Sequence, residues 1–168
     1  GHDVNLSYGF GAVDAGAATA LATTWTNVST EQIHNTGKIT VNQAIPDNDN
    51  NGLEYTIPIS ESFTLEHAEL VLNVTHNYIG DLKIWIRSPD GTRSLFAVKR
   101  TDSKNNLSDY VFTSCRSWDE MSDGDWTLHI SDEKSGTTGT LTDYKLKLYG
   151  NDGSHLVGSG FRVTATNL

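Results

Sequence analysis

Hydrophobic and polar residues alternate in short segments from about residue 37 to residue 150. In one of them, Trp126, Leu128 and Ile130 are separated by the polar Thr127 and His129. A period of two is typical of half-buried β-strands. The same period recurs at 69–75, 82–87 and 144–148, with further strand candidates at 39–44, 53–59, 94–98 and 110–114. Many short strands without helices between them predict an all-β, antiparallel sandwich or jelly roll over residues 37–150.

A different pattern marks residues 1–25. Val13, Ala17, Leu21 and Trp25 recur every four residues, and Asp14 precedes a run of helix-forming residues. This spacing predicts one short helix with an apolar stripe and an N-terminal Asp cap. We expect the stripe to pack on the jelly roll, to pair with another molecule in self-association, or to fray. The polar residues 26–36 are predicted to form a linker, and residues 151–168 an exit linker or the start of a following segment.

Composition narrows the classes of function. The 168 residues include 12 Lys and Arg against 21 Asp and Glu, which gives a formal charge of −9. An acidic chain is a poor partner for nucleic acid, and no apolar run is long enough to span a membrane. The single Cys115 excludes an internal disulfide and a multi-thiolate zinc site. No signal peptide is apparent at the first residue.

Two stretches of the chain resemble one protein family. Residues 1–15, with Tyr8-Gly9-Phe10-Gly11-Ala12-Val13-Asp14-Ala15, resemble the last turn and helix of a subtilisin-like peptidase domain. Residues 45–150 resemble the P domain, or Homo B domain, of kexin- and furin-type proprotein convertases and their bacterial relatives. The segments that carry this second resemblance are 45–48, 74–82, 88–93, 124–128 and 139–141.

The resemblance implies a galactose-binding-like jelly roll of about eight strands that supports the folding and stability of an adjacent peptidase domain. It divides the chain into the peptidase end (1–25), a linker (26–36), the P domain (37–150) and an exit segment (151–168). It also implies a secreted parent protein with calcium-dependent serine endopeptidase activity. The family's catalytic Asp, His and Ser motifs lie upstream of the glycine turn and are not present, so we expect no catalysis by this chain.

Four other groups of residues are candidates for a catalytic centre. They are Ser159 between two glycines, His76 beside Asp81, Cys115 with a histidine, and the acids Asp119, Glu120, Asp123 and Asp125. Each has a more ordinary interpretation. Ser159 lies in the predicted exit linker, His76 is a structural residue of a hairpin, Cys115 is a half-buried small hydrophobe, and four acids in one loop are solvated or hold a cation.

Residues 47–52, Asp-Asn-Asp-Asn-Asn-Gly, resemble the first half of a calcium loop. Pro58 stands where such a loop places its bidentate Glu, so a site would need a carboxylate from a distant loop. The predicted calcium ligands are Asp47, Asp49, Asn51, Asp132 and Asp143, with Asp81 as a further candidate carboxylate. The alternative is an ordinary turn whose Asp and Asn side chains bond their own backbone.

Trp85 lies on the polar face of its strand, beside Lys83 and Arg87. Three interpretations stay open: an aromatic anchor that docks on the peptidase domain, a platform for sugar stacking, or a ring that covers a neighbouring strand. The leading hypothesis is a non-catalytic P domain whose partner is the peptidase domain of the same polypeptide. The alternative is a free extracellular module that binds carbohydrate or protein through Trp85.

Overall fold

A computed structural model of the chain describes residue 7 and residues 9–153. The start of the predicted glycine turn at Tyr8 and most of the predicted exit segment, with Ser159, lie outside the described residues. The described elements are α1 (Ala15–Ala22), β1 (Gln32–Asn35), β2 (Ile39–Ile45), β3 (Asp49–Ile59), β4 (Thr64–His76), a 3-10 turn (Ile79–Asp81), β5 (Leu82–Arg87), β6 (Arg93–Ala97), β7 (Leu107–Ser114), β8 (Gly124–Asp132) and β9 (Gly139–Asn151).

The strands form two antiparallel sheets. One has the order β1-β9-β4-β7, with β2 also paired to β9, and the other has the order β3-β8-β5-β6. The long strand β9 pairs with β4 along one side, and along its other side its first half pairs with β2 and its second half with β1. The predicted all-β sandwich is therefore confirmed, with nine described strands where about eight were expected.

The core lies between the two sheets. It is built from the inward-facing residues of the alternating segments, which explains why the period of two was visible in the sequence. Trp126, Leu128 and Ile130 of β8 face Leu70, Leu72, Leu146 and Leu148 of β4 and β9, and all of them are almost completely buried.

The predicted linker over residues 26–36 is wrong for residues 32–35, which form β1. This strand lies along β9, with Ile33 opposite Tyr149 and Asn35 opposite Lys147. None of its side chains is buried, and Ile33 points to solvent. This edge strand is held by backbone pairing with β9 and by the contact of His34 Nδ1 with Glu61 Oε2 at 2.8 Å. Neither interaction requires an apolar period in the sequence.

The helix begins after Asp14 as predicted and ends at Ala22, so Trp25 of the predicted stripe lies beyond it. The Asp14 carboxylate accepts a hydrogen bond from the Ala17 backbone N–H at 2.9 Å, which caps the first turn of α1. The apolar stripe is not packed on the jelly roll, because no residue of α1 is buried and Val13 keeps 89% of its surface exposed. Among the three expectations for the stripe, packing on the jelly roll is therefore wrong.

Candidate functional site

The loop at 47–52 forms the turn that was the alternative to a calcium site. Asp49 Oδ1 accepts hydrogen bonds from the Asn51 backbone N–H at 2.9 Å and from Asn51 Nδ2 at 3.0 Å. The Asp47 carboxylate accepts the Gly136 N–H, with N–O distances of 3.2 and 3.3 Å. Asp and Asn side chains commonly stabilise turns in this way. These oxygens are engaged by N–H donors of the chain itself.

Asp132 and Asp143, the distant carboxylates of the predicted calcium site, lie in different sheets. Asp132, at the end of β8, is opposite Asp49 in the strand pair, but it accepts from the Lys134 N–H and contacts His76. Asp143 in β9 accepts from Asn73 Nδ2 at 2.7 Å and pairs with Lys38 Nζ at 2.9 Å. Burial would raise the pKa of Asp143, but these two hydrogen bonds and the positive charge of Lys38 lower the pKa overall.

The five predicted ligands are only partly brought together: Asp49 contacts Asn51 and lies opposite Asp132, whereas Asp143 lies in the other sheet. Within residues 9–153, no three His, Cys, Asp or Glu side chains are arranged to hold a metal ion. Calcium needs six to eight oxygens, and the candidate carboxylates here already accept hydrogen bonds in separate places. The residues described do not fit a calcium ion, and calcium binding stays a prediction from the sequence.

His76 pairs with Asp132, not with Asp81. His76 Nε2 lies 3.0 Å from Asp132 Oδ2, and neither side chain is exposed. The Tyr78 N–H donates to His76 Nδ1 at 3.1 Å, which leaves Nε2 as the ring nitrogen that faces Asp132. Asp81 instead lies 3.6 Å from Lys134 Nζ and accepts from Thr137 Oγ1. Both ring nitrogens of His76 are engaged and buried, which suits a structural residue and leaves none for a general base.

The remaining catalytic candidates are dispersed. Cys115 is exposed, and the expectation that it would be half-buried is wrong because it follows β7 at the surface. Glu120 is buried and accepts a hydrogen bond from Thr92, whereas Asp123 is exposed and accepts from Ser62. The four-acid loop is thus divided between structural contacts and solvent.

Trp85 lies on the outer face of the four-stranded sheet, as predicted from its position in the strand, but it is only 7% exposed. Its ring stacks on His129, with centroids 4.6 Å apart and planes 8° apart. The expectation of an exposed ring for docking or sugar stacking is wrong, because His129 and the Arg87 side chain cover it. Lys83 is paired with Glu133 at 2.9 Å. The interpretation that the ring covers a neighbouring strand is the one observed.

The chain exposes an apolar surface that sequence reasoning missed. Phe10, just before the helix, packs edge to face on Trp118, with ring centroids 6.4 Å apart. Trp118 is 45% exposed, and Met121 in the same loop is exposed to a similar degree. We call Phe10, Trp118 and Met121 the Trp118 surface. The available signal in the sequence is a tryptophan within the polar stretch 117–120. This stretch has no alternation of apolar and polar residues, so it does not predict a strand.

The family model described as the proprotein convertase P-domain matches residues 65–148. Furin of Bos taurus is 37% identical over 161 residues, and proprotein convertase subtilisin/kexin type 4 of Mus musculus is 34% identical over 164. Each comparison covers 89% of this chain, which spans 20% of the first relative and 24% of the second.

A solved structure gives the same fold. The Aeromonas sobria serine protease, crystallised in complex with a chaperone, aligns with a TM-score of 0.75 and 23% identity, over 87% of this chain and 31% of that one. In the described part of this chain, no helix has the length and apolar character to cross a bilayer.

Proposed function

Since the chain belongs to the proprotein convertase P-domain family, we propose that it is the non-catalytic P domain of a subtilisin-like serine endopeptidase, where it supports the folding and stability of the adjacent peptidase domain. The chain spans about a fifth of the length of the furins it matches. The activity of the parent protein is therefore part of the proposal.

The observation that carries the proposal is the contact of Phe10 with Trp118. Phe10 belongs to the stretch that resembles the end of a peptidase domain, whereas Trp118 belongs to the P domain. Their edge-to-face packing supports an arrangement in which the peptidase-like stretch lies against the jelly roll. Trp118 and Met121 of the same loop remain exposed. Exposed apolar patches of this kind mark interaction surfaces, and a large aromatic is a frequent anchor.

The exposed stripe of α1 supports the same proposal. Within residues 9–153, Val13 and Leu21 are exposed and lie outside the core, although their spacing is that of a helix with one buried face. We propose that the peptidase domain covers this face. Pairing between two copies of the chain is the competing occupant, and a monomer in sedimentation equilibrium would favour the peptidase domain.

The test uses the full polypeptide that contains this chain. Trp118→Ala should shorten the half-life of peptidase activity on heating several-fold, whereas Tyr110→Ala, which removes an equally exposed aromatic from β7, should not. Both variants of the isolated chain should keep the parent melting temperature, because both side chains are at the surface. Equal half-lives of the two full-length variants would count against a stabilising role for this surface.

Secretion of the parent protein is a further part of the proposal. The family resemblance supports it. Detection of the full-length protein in the medium of its native cells, with a cytoplasmic marker retained in the cells, tests it.

A further inference from the structure

Arg87 and Arg93 face each other across the β5–β6 hairpin and share one aromatic ring. They are direct register partners, and both side chains are exposed. The guanidinium carbons lie 5.7 Å and 5.6 Å from the centroid of the Trp85 ring. Like charges directly opposite each other in a sheet are destabilising, so this arrangement opposes the stability of the free domain.

Within the described residues, neither arginine has an acidic partner. Arg87 donates one long hydrogen bond, 3.4 Å, to Thr127 Oγ1, and Arg93 has no side-chain hydrogen bond to any residue among 9–153. Lys83, on the same face of β5, is by contrast neutralised by Glu133. The protein carries 21 acidic residues against 12 Lys and Arg, so two adjacent arginines without a carboxylate stand out.

Trp85 holds the pair in place. Its ring is buried against His129, so the aromatic surface under the guanidinium groups is fixed by the sheet. Stacking on an aromatic face restricts the long arginine side chains while leaving most of their N–H donors unused. A site ordered in advance in this way loses less entropy when a ligand binds.

We propose that Arg87 and Arg93 form a binding site for the carboxylate of an acidic peptide segment in a partner protein. Arginine and carboxylate make paired, charge-assisted hydrogen bonds. Leu95 lies opposite Trp85 on β6 and is 47% exposed, which provides an apolar contact beside the two charges. The segment therefore carries Asp or Glu next to an aliphatic residue.

A sulfated glycan fits this site less well. Its many charges need a long cationic track, whereas here two arginines lie on a protein with a net charge of −9. A single carboxylate meets the two cations without bringing further negative charge against the acidic surface. The site lies on the outer face of the four-stranded sheet and is separate in function from the Trp118 surface.

The test is calorimetric titration of the 168-residue chain with the peptide acetyl-Ala-Leu-Glu-Glu-Leu-Ala-amide at low salt. We expect a dissociation constant of ~1 mM or tighter, which weakens about fivefold or more in Arg87→Gln or Arg93→Gln. The double variant should show no binding. Each single variant should melt no lower than the parent protein, since it removes a like-charge contact, so lost binding does not report unfolding.

Three controls make the test specific. Lys104→Gln, which removes one exposed charge elsewhere, should bind normally, and the peptide with both Glu replaced by Gln should not bind. Arg93→Lys should weaken binding nearly as much as Arg93→Gln, because an ammonium lacks the planar fork. The proposal is overturned if the double variant binds like the parent, or if only a heparin-derived oligosaccharide binds through these arginines.

Discussion

His76 Nε2 lies 3.0 Å from Asp132 Oδ2, and this buried contact joins the two sheets of the sandwich. His76 is the last residue of β4 in the five-stranded sheet, and Asp132 is the last residue of β8 in the four-stranded sheet. Both side chains are fully buried, so removal of either one leaves the other with a buried polar atom that has lost this hydrogen bond. The His76–Asp132 contact therefore stabilises the packing of the two sheets at this end of the sandwich.

His76→Phe should therefore destabilise the fold strongly. The substitution leaves the Asp132 carboxylate buried with only the Lys134 N–H as a donor, and removing one member of a buried ionisable pair costs about 3–5 kcal/mol. Urea unfolding gives the measurement. His67→Phe is the control, because His67 stacks on Tyr149 at a partly exposed position and should cost less than about 1 kcal/mol. Equal costs for the two variants would contradict the role given to the pair.

Truncation of Trp126 should destabilise the fold much more than truncation of Trp118. Trp126 is 1% exposed, and its Nε1–H donates to the Ser122 carbonyl at 2.9 Å, so Trp126→Ala opens a large cavity and should cost about 3–5 kcal/mol. Trp118→Ala in the same chain should cost less than about 1 kcal/mol because the ring is at the surface. Thermal or urea unfolding of both variants checks the difference, and a stable Trp126→Ala protein would be inconsistent with this core.

The sandwich could be predicted because apolar and polar residues alternate along most of its strands. The period of two puts Trp126, Leu128 and Ile130 on one face of their strand, and all three are buried in the core. The helix cap at Asp14 follows from one side chain. The sequence did not predict β1, because an edge strand that pairs through backbone hydrogen bonds can form without an alternation of apolar residues. Alternation of apolar and polar residues therefore identifies strands with one buried face. It does not identify a strand that pairs through its backbone while its side chains stay exposed.

The candidate sites were harder to predict because they depend on pairs distant in sequence. Trp85 was placed correctly on the outer face, yet the stacking of His129 over it depends on the register of β5 and β8. Register also pairs Arg87 with Arg93, which no local pattern indicates. In the Asp-rich loop the calcium-like spacing is local in sequence, and Asp49 and Asn51 of this loop stabilise a turn.

His129 should make stability depend on pH near neutrality. Burial lowers the pKa of His129 below its ordinary value of 6.5, although Glu54 at 3.4 Å acts in the other direction. Between the lowered value and 6.5, the unfolded chain binds a proton that the folded chain does not. The free energy of unfolding is therefore fully retained above pH 6.5 and falls as the pH decreases below it.

The comparison of parent and His129→Gln melting temperatures from pH 7.5 to 5.5 measures this effect. The parent should lose more stability than the variant over this interval. The interval stays above the range in which Glu69 and Asp143, whose pKa values are lowered in the fold, begin to contribute. Parallel curves for the two proteins would show that His129 is not the group responsible.

Chelation should leave the melting temperature unchanged. A bound ion stabilises the folded state by mass action, so its removal would lower the melting temperature. The Asp49 and Asp132 carboxylates already accept hydrogen bonds from N–H donors of the chain, and Asp143 lies in the other sheet. We therefore expect the same melting curve in excess EDTA and in millimolar calcium. A decrease of several degrees in EDTA, reversed by calcium, would restore the calcium site predicted from the sequence.

Gly52, the last residue of the calcium-like loop, is required by the close approach of β3 to β8. Its φ is +54°, a conformation that disfavours side chains, and an added Cβ would lie 2.2 Å from the Ile130 carbonyl oxygen and 2.6 Å from Ser131 Cβ. The register of β3 against β8 shifts between Asp49 and Leu53, and glycine lets the two strands approach closely at this irregularity.

Gly52→Ala should thus lower the free energy of unfolding by roughly 2 kcal/mol or more, with and without calcium, because the left-handed conformation alone costs about 1–2 kcal/mol and the clash with strand β8 adds to it. Gly37→Ala is the matched control, since Gly37 has a φ of +69° but nothing within 4 Å of an added Cβ. It should show the conformational cost alone. If the two variants lose the same stability in urea unfolding, the close approach of the two strands is not what requires glycine at position 52.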